Sequence, residues 1–145
     1  MQIKTSFLIV IVVILIGCTT EKSQLNGNWE LVSYQAIADG ETTFTIPGNI
    51  VGEQLKSWSN TTCLFVGQFE DNNRITPNFG SGTYTLNGSH YEELIEIHSS
   101  KLYIGTKVKL LIEFKGDTLI QVLPVSDDWT VDKDNCRIEK YVRVE

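Results

Sequence analysis

The feature that most constrains this chain is a period-2 alternation of apolar and polar residues, which begins near Leu25 and continues to the C-terminus. Such alternation places the apolar side chains on one face of an extended strand. Turn residues interrupt it repeatedly, and no segment carries a convincing helical stripe. The pattern therefore predicts strands over residues 28–35, 41–46, 54–59, 62–70, 82–87, 89–98, 106–114, 118–125 and 136–144.

Short strands separated by turns predict an all-β domain. We expect an antiparallel up-and-down β-barrel of eight or nine strands, with a β-sandwich as the alternative. Closure into a barrel would remove the exposed strand edges that a long open sheet presents. Residues 53–58 also fit a single helical turn, because Val51, Leu55 and Trp58 have helical spacing.

Two hairpins assign the faces of four strands. A two-residue turn at Asn87-Gly88 would place Leu86 opposite Ser89 and Tyr84 opposite Tyr91. The more apolar face, which we expect to point inward, holds Gly82, Tyr84, Leu86, Ser89, Tyr91, Glu93, Ile95 and Ile97. A two-residue loop at either Lys115-Gly116 or Gly116-Asp117 gives a second inner face, and a three-residue loop or a bulge would break its phase. This face is made of Val108, Leu110, Ile112, Phe114, Leu119, Gln121, Leu123 and Val125.

Two polar residues, Glu93 and Gln121, fall on these inner faces. A buried acid or amide costs several kcal/mol unless it finds a partner. Glu93 therefore requires a cation such as Arg143, a hydroxyl such as that of Tyr84 or Tyr91, water or a ligand.

The N-terminus carries a different signal. Lys4 precedes an uninterrupted apolar run over residues 7–16, and Gly17-Cys18 follows. The run is too short to span a bilayer as a helix, which takes about 20 residues. It resembles a bacterial lipoprotein signal peptide, which implies cleavage before Cys18 and lipidation of that cysteine. An ordinary secretory signal is the alternative.

This resemblance predicts three segments: a signal peptide over residues 1–17, a lipidated tether over 18–24 and one domain over 25–145. We expect the protein to lie in the cell envelope, with its lipid anchored in the outer membrane. The sequence does not distinguish the periplasmic face of that membrane from the outer surface. Removing residues 1–17 leaves 128 of 145 residues and changes the formal net charge from −6 to −7. The acidic surplus argues against a nucleic-acid partner, and we expect a monomer.

A family resemblance rests on motifs spread over the domain. They are Gly27-Asn28-Trp29, Gly82-Thr83-Tyr84-Thr85-Leu86, Tyr91 with Glu93, Gly116-Asp117-Thr118-Leu119 and Tyr141-Val142-Arg143-Val144. Together they resemble the lipocalins and their calycin relatives, in particular the small lipocalin-like domains of Bacteroidetes-type lipoproteins. Those relatives often carry a tryptophan where this chain has Tyr141.

The resemblance implies a barrel whose cavity binds a small apolar or amphipathic molecule. It also implies an arginine packed over Trp29 to close the barrel floor, with Arg143 as first candidate and Arg137 as second. The candidate ligand-binding residues are Phe65, Phe69, Tyr84, Tyr91, Glu93 and Gln121. The alternative is that these side chains simply fill a narrow interior.

Cys63 and Cys136 remain once Cys18 is lipidated. An oxidising envelope and an even count make a disulfide between them possible, and two unpaired thiols are the other reading. His90, Glu92, Glu96 and His98 share a predicted face, but the two histidines lie about 26 Å apart on a straight strand, so we predict no metal site. No cofactor is predicted.

Three functions stay open: a tethered carrier of a small ligand, an envelope scaffold with a filled barrel, and an enzyme using Glu93 as acid or base. The scaffold would act through long polar loops over residues 71–80 and 126–135. Catalysis is the least favoured of the three, so we do not expect an enzyme.

Overall fold

The computed structural model describes residues 23–144, which form an all-β domain. Its nine strands are β1 Gly27–Ala38, β2 Glu41–Ile46, β3 Val51–Trp58, β4 Thr62–Asp71, β5 Arg74–Asn87, β6 His90–His98, β7 Lys107–Lys115, β8 Thr118–Leu123 and β9 Cys136–Val144. A short 3-10 helix, Lys101–Tyr103, joins β6 to β7. The predicted signal peptide and Cys18 lie outside the described residues.

The strands form a closed antiparallel barrel. Consecutive strands from β3 to β9 pair in order, and β1 closes the ring by pairing with both β3 and β9. One edge of β1 is shared, because Gly27–Glu30 pairs with β3 while Tyr34–Ala38 pairs with β2. The predicted up-and-down barrel is therefore confirmed, with eight strands in the ring and β2 as an additional strand.

One local prediction is wrong, and one open alternative is excluded. Residues 71–80 are not a long polar loop, because β4 and β5 join through a tight turn at Asn72 and Asn73. Both asparagines adopt positive φ, at 49° and 62°, which is the backbone that a two-residue hairpin turn requires. Residues 53–58 belong to strand β3 rather than to a helical turn. The loop predicted over residues 126–135 is present.

The β5–β6 hairpin turns one residue later than predicted, at Gly88-Ser89. Leu86 therefore lies opposite Tyr91, and Tyr84 lies opposite Glu93. Moving the turn by one residue shifts every pairing partner by two residues along β6. Because side chains alternate with period 2, each residue keeps its predicted face.

A bulge in β6 overturns the predicted orientation of its last residues. Ser81 pairs with Ile97 while Gly82 pairs with Ile95, so one extra residue interrupts the alternation. As a result Ile97 is 58% exposed instead of buried. His98 turns inward and packs against Phe65, with ring centroids 5.6 Å apart.

One end of the barrel is closed by aromatic packing around Trp29. The Arg143 guanidinium lies 4.3 Å from the Trp29 ring centroid, as the lipocalin resemblance implied, and it donates to the carbonyls of Gln24 and Asn26. Trp29 itself donates to the carbonyl of Leu25, which is fully buried. Arg137, the second candidate, is eliminated from this role because it lies near the opposite, open end, where it pairs with Ala36.

The second hairpin follows one of its predicted forms, with a two-residue loop at Gly116-Asp117. Leu110, Ile112 and Leu119 accordingly lie in the core. Strand β8 ends at Leu123, two residues before the predicted end. Within residues 23–144, no helix has the length and apolar character needed to cross a membrane.

Candidate functional site

A cavity of about 780 Å³ occupies the barrel interior. A second space of about 550 Å³ adjoins it at the open end, and Gln54, Asn78, His98, Tyr103, Arg137 and Glu139 line both. The walls mix apolar side chains such as Ile95 and Leu110 with charged ones. The interior is therefore not filled by its own side chains.

A polar network crosses the cavity between β3 and β9. The Lys56 ammonium donates to Glu139 Oε2 at 2.9 Å and to Gln121 Oε1 at 2.6 Å. The Tyr141 hydroxyl donates to the same Glu139 oxygen at 2.6 Å and accepts from Gln54 Nε2 at 3.2 Å. The side chains from β3 and β9 point inward because these strands alternate in phase with Trp58 and Arg143, and Gln121 reaches Lys56 from β8.

Burial works against charge on Glu139, but the Lys56 ammonium and the Tyr141 hydroxyl outweigh it and hold the pKa of the Glu139 carboxyl below its usual value. Burial and the adjacent carboxylate raise the pKa of Tyr141 well above its usual value. Glu139 is thus a stable anion, and Tyr141 remains a hydrogen-bond donor at neutral pH.

A second chain of hydrogen bonds lies deeper and ends at Glu93. Trp58 Nε1 donates to the Tyr91 hydroxyl at 3.1 Å, and that hydroxyl donates to Glu93 Oε2 at 3.0 Å. Burial, together with the Glu93 charge, raises the pKa of Tyr91 far above its usual range. The other carboxylate oxygen, Glu93 Oε1, is buried and accepts no hydrogen bond from residues 23–144. The partner of Glu93 is therefore a hydroxyl, not Arg143.

The thiol of Cys63 lies beside this chain. Burial and the Glu93 carboxylate raise its pKa to about 12. At neutral pH the thiol therefore stays protonated, which makes it a poor nucleophile.

Cys63 and Cys136 are both buried and are not bonded to each other. Cys63 pairs with Trp58, which in turn pairs with Gly27 at the closed end of the barrel. Cys136 pairs with Ile37 near the open end. The stretch of β1 from Gly27 to Ile37 spans about 33 Å, and a disulfide needs Cα atoms within about 7 Å. This geometry excludes the possible disulfide and leaves two unpaired thiols, the other reading of the sequence.

The six predicted ligand-binding residues separate into three groups. Phe65 and Glu93 line the main cavity, and Phe69 lines the adjoining space. Tyr84 and Tyr91 stack in the core below it, with ring centroids 5.1 Å apart. Gln121 is fully buried behind Lys56, and its Nε2 atom has no acceptor within the described part of the chain.

Sequence reasoning missed Lys56, Gln54 and Glu139. A signal for each was present. Alternate residues of a strand share a face, so an inward Arg143 over Trp29 predicts that Glu139 also points inward. In the same way, an inward Trp58 predicts inward side chains for Gln54 and Lys56.

Among residues 23–144, no group of three or more histidine, cysteine, aspartate or glutamate side chains could hold a metal ion. The chain matches no family model, no curated protein and no solved structure.

Proposed function

We propose that this protein is a membrane-anchored, lipocalin-like lipoprotein that binds a small amphipathic molecule inside its barrel. The observation that carries the proposal is the cavity of about 780 Å³. Small-molecule sites measure about 300–1,000 Å³ and combine apolar walls with a few convergent polar groups. The main cavity has this character, because Phe65, Ile95 and Leu110 share its walls with Lys56 and Glu93.

The open end gives access to the cavity. His98 and Tyr103 stand there with ring centroids 4.6 Å apart, and Arg137 lies on the inner face of β9 nearby. The chain enters the domain at the other end, where the carbonyl of Gln24 accepts from Arg143. A tether ending at Gln24 would therefore attach to the closed end and leave the cavity entrance free.

Native mass spectrometry tests the carrier function. We expect the full chain carrying Cys18→Ser, purified from its own envelope, to retain a small molecule at one copy per protein. Val108→Trp, which places a large side chain in the cavity, should lower ligand affinity about tenfold or more. The matched control is Val66→Trp, since Val66 is 53% exposed on the barrel exterior. Repeated absence of any bound molecule in the parent protein would refute the carrier function.

The lipid anchor requires its own test. Cells grown with labelled fatty acid should incorporate label into the wild-type chain and lose it with Cys18→Ser, because Cys18 is the residue that the signal-like leader marks. Cys136→Ser serves as the control and should keep the label. Persistence of label in Cys18→Ser would show that the proposed anchor is wrong.

One observation favours a scaffold function as the second candidate. Leu55, Val66 and Phe79 lie side by side on the exterior of β3, β4 and β5, and each is more than a third exposed. Contiguous exposed apolar side chains are typical of interaction surfaces. A carrier that delivers its ligand to a partner could use the same face.

A further inference from the structure

We propose that the deep part of the cavity recognises an ammonium group, so that the ligand is a cationic amphiphile held by Glu93. This inference rests on the proposed carrier function and specifies the chemistry of its ligand. The residue in question is Glu93, whose carboxylate has one buried oxygen atom without a hydrogen-bond partner among residues 23–144.

Four acidic side chains line the main cavity: Glu92, Glu93, Asp127 and Glu139. Three of them have a lysine partner: Glu92 lies 2.9 Å from Lys107, Asp127 lies 2.8 Å from Lys109, and Glu139 lies 2.9 Å from Lys56. Within residues 23–144, Glu93 alone of the four has no basic group within 4 Å.

The hydrogen bonds of Glu93 leave one position open. Tyr91 donates to Oε2, and its own hydroxyl already accepts from Trp58, so the tyrosine proton is directed at the carboxylate. Oε1 is buried and accepts nothing from the described residues. The Cys63 thiol lies close enough to Glu93 to offer a hydrogen bond, but a thiol is a weak donor and carries no charge. A buried carboxylate oxygen in this state is stabilised most by a cationic donor.

The nearby cations cannot serve this purpose. Lys56 is engaged by Glu139 and Gln121, and moving it to Glu93 would leave Glu139 unpaired in the interior. Arg143 is held at the closed end by two backbone carbonyls. Arg137 also lines the cavity, but it pairs with Ala36 near the open end, away from the deep part where Tyr91 donates to Glu93. We therefore infer that the ligand brings the charge that Glu93 lacks.

The surrounding walls suit an alkylammonium ion. Trp58 and Phe65 line the cavity with Glu93 and offer aromatic faces, which attract cations. Ile95 and Leu110 line the same cavity and provide apolar surface for the carbon chain. A ligand carboxylate at this depth would face the charge of Glu93 and be repelled.

Isothermal titration calorimetry with three probes of equal chain length tests the proposal. The probes are octylamine, octanol and octanoate, and the protein is the full chain carrying Cys18→Ser. We expect octylamine to bind roughly ten- to a hundredfold more tightly than octanol, the range for a charge-assisted hydrogen bond. Glu93→Gln should remove that preference, because the neutral amide offers no charge to the ammonium group.

Glu96→Gln is the matched control, because Glu96 lies on the same strand but is exposed outside the cavity. It should keep the preference for octylamine. If octanol binds and octylamine binds no better, or octanoate binds best, the ammonium site is wrong while the carrier function stands. If none of the three probes binds, the ammonium site is wrong, and native mass spectrometry of the parent protein decides the carrier function separately.

Discussion

Replacing Lys56 with methionine should lower the free energy of unfolding by about 3–5 kcal/mol, since the change leaves the Glu139 carboxylate buried without its partner. Only 15% of the Lys56 side chain and 13% of the Glu139 side chain are exposed, so solvent compensates little. Urea denaturation followed by tryptophan fluorescence measures the loss.

Two further variants distinguish the effect of the buried Lys56–Glu139 ion pair from the effect of lost side-chain packing. The double variant Lys56→Met with Glu139→Leu should recover much of the lost stability, because no unpaired charge remains. Lys107→Met removes a lysine from an exposed pair, with 66% of its side chain in solvent, and should cost less than about 1 kcal/mol. Equal losses in Lys56→Met and Lys107→Met would contradict the importance of the buried pair.

The same pair predicts a pH dependence. The pKa of Glu139 is lowered in the folded state from its usual 4.5, so its contribution to stability is complete above that value. The contribution is lost as the pH falls through the folded-state pKa, because the folded protein must then take up a proton. The stability difference between the wild type and Glu139→Gln should therefore shrink below pH 4.5.

Trp29→Ala should destabilise the domain by about 3–5 kcal/mol, the usual cost of removing a buried tryptophan. Trp29 is 1% exposed, contacts Phe114 and lies under Arg143. Its loss opens the closed end and leaves the Leu25 carbonyl without its donor. Thermal and urea unfolding of the full chain measure the change.

Trp129→Ala is the control for this substitution. Trp129 stacks on His90 at 4.3 Å but belongs to the loop between β8 and β9. Its removal should cost about 1 kcal/mol, the scale of an aromatic pair at the surface. A comparable loss for the two tryptophans would argue against the closed end as the main source of stability.

The strands were predictable because alternation reports directly on extended backbone. All nine predicted strands exist, although β1, β3 and β5 extend beyond their predicted limits. Tyr84, Tyr91 and Glu93 lie on the inner face as predicted, although the turn between β5 and β6 was placed one residue too early. The error moves the pairing partners by two residues, and an even shift keeps every side chain on the same face of the sheet. Where the shift was odd, at the β6 bulge, the prediction failed for Ile97 and His98.

The polar network was harder to predict because its strands contradict simple amphipathicity. In β3 the polar residues Gln54 and Lys56 point inward, while Val51 and Leu55 point outward. Hydrophobicity alone assigns the opposite faces. The inward orientation is stable because Glu139, Gln121 and Tyr141 supply partners from other strands.

The sequence by itself determined the β class, most strand positions and the faces of two hairpins, since these depend on local alternation. The expectation that Arg143 packs over Trp29 came from the resemblance to lipocalins, which left Arg137 as the second candidate. Only the tertiary structure decided which charges meet. Lys56 and Glu139 are 83 residues apart in the chain, and they meet because the barrel closes and leaves a cavity between their strands. Within residues 23–144, the same closure leaves Glu93 without a basic group within 4 Å.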